Sequence, residues 1–203
     1  MVVYKKEKLS RRAGKNLLLK GSRSFSDKSG VKRRTSRPGQ HGNRPARLTE
    51  YGKQLREKQA VKAMYLLREA RFKNLFNKAL EIAERTKGNK GHVFLQLLES
   101  MLFIVLYRAG LAKSKSAARQ LVVHGHVKVN GVRVRSPTYI LKPGDQIEVS
   151  DKVFDKYKPD YDLPYNASWI EVSKNTCKFI RPPERDEIRK DIDESLVIAW
   201  YTR

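Results

Sequence analysis

Apolar residues follow no regular spacing over the first 48 positions and then fall into step. Phe72, Leu75, Phe76, Ala79, Leu80 and Ala83 recur at i, i+3, i+4, i+7, i+8 and i+11, the spacing of one helix face. The stretch before it, residues 49–67, reads as a helix with Leu55, Met64 and Tyr65 as its apolar contacts. Thr86-Lys87-Gly88-Asn89 interrupts the pattern, and Phe94, Leu97, Leu98, Met101, Leu102, Val105 and Leu106 resume it. These segments predict a helical bundle whose aromatics, being at helical spacing, belong to its core.

The period changes after residue 110. A helix over 102–109 is expected to end at Gly110, and Ser114 or Ser116 is placed to cap another. That second helix turns Ala118, Leu121 and Val122 inward, and Gly125 supplies a left-handed stop. Residues 127–134 then alternate around Asn130-Gly131, the sequence signal of a two-residue type I′ hairpin. The implied register pairs Val129 with Val132, Lys128 with Arg133, and Val127 with Val134. Alternation puts the valines on one face, toward the helices, and Lys128 with Arg133 on the other. Opposed like charges are unfavourable without a counter-anion, so the pair suits phosphate. Arg119, with Lys113 and Lys115 at the helix start, is placed to extend the same patch. Lys142-Pro143-Gly144-Asp145 reads as a turn and residues 146–149 as a closing strand.

Charge sharpens this picture. The 203 residues carry 44 Lys and Arg against 21 Asp and Glu, a net +23. Such a surplus calls for a polyanionic partner. Its distribution is uneven: residues 1–48 carry +13, 49–100 carry +5, 101–150 carry +6, and 151–203 carry −1. The first three quarters can face phosphate; the last is suited to protein contacts. The longest purely apolar run, 101–107, is far below the roughly 20 residues of a membrane span, so nucleic acid is the expected polyanion rather than a membrane face. The arm, residues 1–48, offers Lys5-Lys6, Arg11-Arg12, Lys32-Arg33-Arg34 and Arg37 among Gly, Ser and Pro. By itself it is expected to bury too little apolar surface to order, and removal of residues 1–44 is expected to leave a folded protein. Its first 37 residues, Arg- and Ser-rich and acid-poor, also fit an organellar transit peptide.

A single Cys177 excludes an intramolecular disulfide and any thiolate cluster, and fits a reducing compartment. His41, His92, His124 and His126 are scattered without thiolate support, so no metal site is expected. No Walker loop, Ser/His/Asp spacing or glycine-rich dinucleotide turn is present, and no cofactor is expected. Nothing reads as a major-groove recognition helix with a dimer partner.

The run Ala117-Ala118-Arg119-Gln120-Leu121-Val122-Val123-His124-Gly125-His126-Val127-Lys128-Val129-Asn130-Gly131, followed by Lys142-Pro143-Gly144-Asp145, resembles the RNA-binding module named for small-subunit ribosomal protein four. Some pseudouridine synthases, tyrosyl-tRNA synthetases and a heat-shock RNA binder also contain that module. The pseudouridine synthases carry a catalytic Asp in a Gly-Arg-Leu-Asp-type motif and a large catalytic domain, and this chain shows neither. Lys113-Ser114-Lys115-Ser116 is similar to a synthetase signature loop but lacks its Met and its His-Ile-Gly-His partner. Four further segments are similar to the ribosomal family: Arg37-Pro38-Gly39-Gln40-His41-Gly42, residues 51–59, residues 164–172 as a strand after the module, and residues 196–203 as a closing strand-like tail. The chain departs from the family at Met101-Leu102-Phe103-Ile104, where relatives usually have Arg-Leu-Asp-Asn, and it lacks the N-terminal cysteines with which many relatives hold zinc.

The resemblance implies an α+β protein. A helical N-terminal rRNA-binding domain over 1–93 (basic arm 1–48, helices 49–93) precedes a two-helix and β-hairpin module over 94–157. A C-terminal segment, 158–203, packs back on the body. It makes the arm part of the mature protein. It implies a non-enzymatic constituent of the small ribosomal subunit, cytoplasmic rather than plastid. That constituent binds 16S-type rRNA and organises early assembly. It neighbours small-subunit proteins three and five at the mRNA entrance, and acts on translational accuracy. The expected RNA-binding residues are Arg33, Arg34, Arg37, Gln40, His41, Lys113, Ser114, Ser116, Arg119, Gln120, His124, Lys128 and Arg133. A non-ribosomal RNA-binding protein or RNA-modifying enzyme sharing the module is the alternative.

Overall fold

The computed structural model describes residues 5–44, 48–161 and 167–202. Its helices are α1 (Lys6–Ala13), α2 (Gly30–Arg33), α3 (Glu50–Met64), α4 (Glu69–Thr86), α5 (Lys90–Glu99), α6 (Leu102–Arg108), α7 (Lys115–Val123), α8 (Asp151–Tyr157) and α9 (Glu194–Tyr201). Five strands, β1 (Val127–Val129), β2 (Val132–Arg133), β3 (Gln146–Val149), β4 (Ile170–Ser173) and β5 (Thr176–Phe179), form an antiparallel sheet in the order β2-β1-β3-β5-β4. The fold is α+β.

The chain forms two compact units, Met1–Asn74 with Lys190–Arg203, and Leu75–Arg189. These are not the divisions at 93/94 and 157/158 expected from the sequence. The C-terminal segment is shared out because its hairpin, β4 and β5, has sheet edges to pair, whereas its last helix has an apolar side to bury.

In the first unit, α3 starts where Thr49 Oγ1 accepts the Gly52 amide at 3.2 Å, and it buries Val61 and Met64. The arm is not the unstructured tail its composition suggests. Leu17, Leu18 and Leu19 are buried, at 0%, 7% and 2% exposure, between α1 and the 3₁₀ turn Gly21–Ser24. Where helix and sheet are missing, side chains take the backbone bonds. Ser24 Oγ accepts from the Lys20 amide at 3.0 Å, and Asn16 Nδ2 donates to the Ser24 carbonyl. Lys15 ties the arm down by donating to both Glu57 carboxylate oxygens, at 2.6 and 2.9 Å, and to the Asp191 carbonyl at 2.7 Å.

The tail is a helix, not the strand its run of large apolar residues suggests. Short apolar runs fit either period, and here Asp193 Oδ1 caps the first turn by accepting the Ser195 and Leu196 amides. α9 packs on α3. Lys58 Nζ lies 4.5 Å from the Trp200 ring centroid and donates to Glu69, which also receives Lys62 Nζ at 2.7 Å and Tyr201 Oη at 3.0 Å. Burial alone would raise the Glu69 carboxyl, but the hydrogen bonds from Lys58, Lys62 and Tyr201 hold it down to about 2.

In the second unit the periodic run 94–106 is two helices. Ser100 and Met101 break it, because Met101 bridges to Ile140 and the 137–140 loop takes over the next amides: Leu102 donates to Tyr139 and Phe103 to Pro137. Every residue of α6 is buried. The unusual Met101, Phe103 and Ile104 are therefore core, each at 0% exposure. Arg108 and Glu99, also buried, close a bidentate pair at 2.9 and 2.7 Å, the geometry that best offsets the desolvation of both charges. The inner face of the sheet carries the row Val132–Val129–Ile147–Cys177–Val172. Its centre is buried, and burial pushes the Cys177 thiol up to about 12.

The hairpin register is as the sequence predicts, with Lys128 opposite Arg133 and Val129 opposite Val132. Asn130 and Gly131 both have positive φ, 50° and 80°, as a type I′ turn requires. Val132 is nevertheless not a core residue. It is 68% exposed, because β2 is the edge strand and the inner row is open at both ends; Val172, on the other edge, is 47% exposed.

Candidate nucleic-acid interface

Each unit carries a basic surface. In the first unit, α1 and the loop after α2 enclose a basin of about 670 Å³ lined by Lys5, Lys8, Arg11, Arg34, Arg37 and Gln40, among others. Of the arm residues expected to bind RNA, Arg34, Arg37 and Gln40 line this basin, whereas Arg33 and His41 are exposed and do not. The loop is held by the basin's own cations: Arg11 Nε donates to the Ser36 carbonyl at 3.0 Å and Arg11 Nη2 to that of Arg37 at 3.3 Å. Glu7, the acidic member, is committed elsewhere, since its Oε2 accepts the Gly30 amide at 2.7 Å and its other oxygen faces Arg23 Nε at 3.8 Å. On α3, burial and then the neighbouring Arg37 lower the Arg56 guanidinium from its ordinary value. Two guanidinium groups in range of each other stay charged at any physiological pH, so an anion would relieve both. Lys5, Lys8 and Arg11 were not among the expected site residues. Their spacing by three residues, along one side of α1, was the available signal, but it was too short to read without the loop that faces it.

In the second unit, α7 orders the site. Ser114 is its N-cap, with Oγ accepting the Ala117 amide at 3.1 Å. Ser116, Gln120 and His124 follow at i, i+4 and i+8 along one face, and Arg119 is half-buried beside them. Lys113 is exposed, but its backbone is engaged: its amide donates to the Tyr157 carbonyl at 2.7 Å, and its carbonyl accepts Tyr161 Oη at 2.7 Å. Lys115 does not extend the patch. It is 2% exposed, with Nζ 5.9 Å from the Tyr107 ring centroid.

Beyond α7, Lys128 and Arg133 stand exposed on the outer face of the hairpin, with Glu148 opposite Lys128 on its other side. The Val134 amide donates to the Val127 carbonyl at 3.1 Å, which carries the pairing one step further, and His126 and Arg135 are the residues next beyond it. Gly125 lets the helix end and the hairpin approach. A Cβ there would lie 3.2 Å from Arg133 Cδ and 3.3 Å from Arg135 Nε, and its φ of 75° is left-handed. The His124 and His126 rings are nearly parallel, 6.3 Å between centroids. Sequence reasoning stopped one pair short of His126 and Arg135, although period-2 alternation from Lys128 and Arg133 points to both.

Among the described residues no group of three or more His, Cys, Asp or Glu could hold a metal ion, and no helix is long and apolar enough to cross a membrane.

Comparison with known proteins matches two domain families to the chain, in order. Residues 2–99 match the ribosomal protein S4/S9 N-terminal domain, and residues 102–147 match the S4 domain. Over 201 residues, 97% of this chain and 96% of the relative, the sequence is 42% identical to small ribosomal subunit protein uS4 of Dictyoglomus turgidum. It is also 42% identical to uS4 of Nitrosospira multiformis, over 95% of this chain and 94% of that protein. To uS4 of Halothermothrix orenii it is 40% identical, over 97% and 96%. A chain with both domains in order, and this likeness along almost its whole length, belongs to the uS4 family of small ribosomal subunit proteins.

Proposed function

We propose that this chain binds small-subunit rRNA directly, through the arm basin and the outer face of the hairpin, and organises the RNA early in subunit assembly. The observation that carries the reading is the hairpin face. Lys128, Arg133 and Arg135 are displayed on a helix-backed sheet and form no ion pair with a described residue. Nothing in a free protein is gained by holding such charges together, whereas RNA phosphates would neutralise them and release counterions. The contacts proposed are Arg34, Arg37 and Gln40 in the basin, with Arg33 and His41 at its outside. On the second unit they are Lys113, Ser114, Ser116, Arg119, Gln120, His124, Lys128 and Arg133. The mode is recognition of folded RNA by shape and phosphate rather than by base sequence.

The finer role follows the family. The chain sits in the small subunit of cytoplasmic rather than plastid ribosomes, beside small-subunit proteins three and five at the mRNA entrance, influences decoding accuracy, and catalyses no reaction. The test is binding of the full chain to a 16S-type rRNA transcript across salt. The log–log slope should be about −0.7 to −0.9 per phosphate contacted, and the protein should remain with small subunits sedimented through high salt. A slope near zero, or pseudouridine formed in the RNA on incubation, would reverse the assignment.

A further inference from the structure

The outer face of the hairpin holds more than the expected pair. Lys128 faces Arg133, and the pairing runs on through Val127 and Val134, beyond which His126 and Arg135 are the next residues. Both arginine stems pass over Gly125, whose chain neighbours are His124 and His126. All five basic side chains therefore gather where α7 ends and the hairpin begins. Few groups there oppose them. From β3, Glu148 stands opposite Lys128, and continuing the β1–β3 register sets Ser150 opposite His126. From α8, Asp151 accepts a hydrogen bond from Asn175 Nδ2 at 2.8 Å. From α7, the face that reaches His124 carries the neutral Gln120 and Ser116.

We propose that Arg135 and His126, with Arg133 and His124, form a phosphate-binding site over Gly125 whose hold on RNA strengthens as the two imidazoles take up protons. The proposal rests on the reading of this face as RNA-binding and adds to it His126, a single shared site over Gly125 and a dependence on pH. The two guanidinium groups are charged throughout and set a basal affinity. Imidazoles change charge between about pH 5 and 8, and a phosphate favours the protonated form. Binding and protonation therefore support each other. The sign is fixed: affinity rises as pH falls. A histidine whose pKa rises by one unit on binding adds about tenfold at acid pH.

The experiment measures affinity of the full chain for a 16S-type rRNA transcript at pH 7.5 and 5.5, at one salt concentration. It compares the wild type, Arg135→Gln and the double variant His124→Gln/His126→Gln, with melting temperatures recorded alongside. The wild type should gain about tenfold on acidification. The double variant should bind somewhat more weakly than the wild type at pH 7.5, since His124 is itself a contact, and should lose most of the gain on acidification. Arg135→Gln should bind more weakly at both pH values, with a salt slope smaller by about one contact. If the double variant melts early, the single His124→Gln, at an exposed position, gives the readout and should lose part of the gain. Wild-type pH response in the histidine variant, or wild-type salt slope in Arg135→Gln, overturns the site. Failure of the wild type to bind RNA at either pH overturns the underlying reading instead.

Discussion

In the arm, the cations that would meet RNA also hold the fold. Arg11 carries the carbonyls of Ser36 and Arg37, and Lys15 joins Glu57 to the C-terminal segment. In the hairpin, Lys128, Arg133 and Arg135 carry nothing, because β1, β2 and the buried valines set their positions. Regular structure satisfies its own backbone and leaves side chains free for a ligand. An irregular loop must borrow side chains for that purpose. Substitutions in the arm should therefore disturb stability and binding together, while substitutions on the hairpin face should separate the two.

The largest expected effect tests the arm as part of the fold. Deleting residues 1–44 removes Leu17, Leu18 and Leu19, whose burial is worth about 1.5–3 kcal/mol each. That sum rivals the whole stability of a typical domain, about 5–15 kcal/mol. The truncated chain should lose part of its cooperative thermal transition by circular dichroism. A melt matching the full chain would return the arm to the status of a tail.

Next in size are the two hairpin valines. Val129→Ala should cost about 1–3 kcal/mol by denaturant titration, since it empties a buried position. Val132→Ala, at the open edge, should stay within about 0.5 kcal/mol. Equal losses would mean that the sheet is covered to its edge.

Smaller effects divide the cations. Arg11→Ala should cost about 0.5–1.5 kcal/mol for each carbonyl hydrogen bond it removes, seen in the melt, and weaken RNA binding as the loop loosens. Arg133→Ala should leave the melting temperature unchanged. It relieves a repulsion with Lys128 that is small at an exposed strand pair, and it should reduce the salt slope of RNA binding by about one contact.

The smallest effect is on acid stability. Glu69 is held at about 2 against the pull of burial, and Glu187 is held at about 2 by Arg181, Ser168 and the Glu184 amide, again against burial. Because these folded-state values lie below the unfolded one of about 4.3, their stabilisation is fully present above about pH 4.5. It is lost as pH falls toward 2. Melting temperatures between pH 5 and 2.5 should fall less steeply for Glu69→Gln than for the wild type.

Much of this was legible in residue order alone. The 3.6-residue period over 72–83, the Asn130-Gly131 turn and its register, the Ser114 cap and the Gly125 stop are local events, decided by spacing and by the few residues that tolerate positive φ. The polyanionic partner was likewise written in the charge. What residue order could not decide was burial, which depends on what lies opposite. Val129 and Val132 have the same side chain in the same hairpin, yet one is core and the other solvent-exposed, because only the order β2-β1-β3-β5-β4 says which strand is the edge. Lys115 and Lys128 are both lysines in one module, and only the packing of α7 takes the first out of water. Leu17 to Leu19 looked like three apolar residues in a polar tail. Residues 196–201 fitted strand as well as helix until α3 offered them a surface. The hydrophobic effect acts on area removed from water, and for residues distant in the chain that area exists only once the chain has folded.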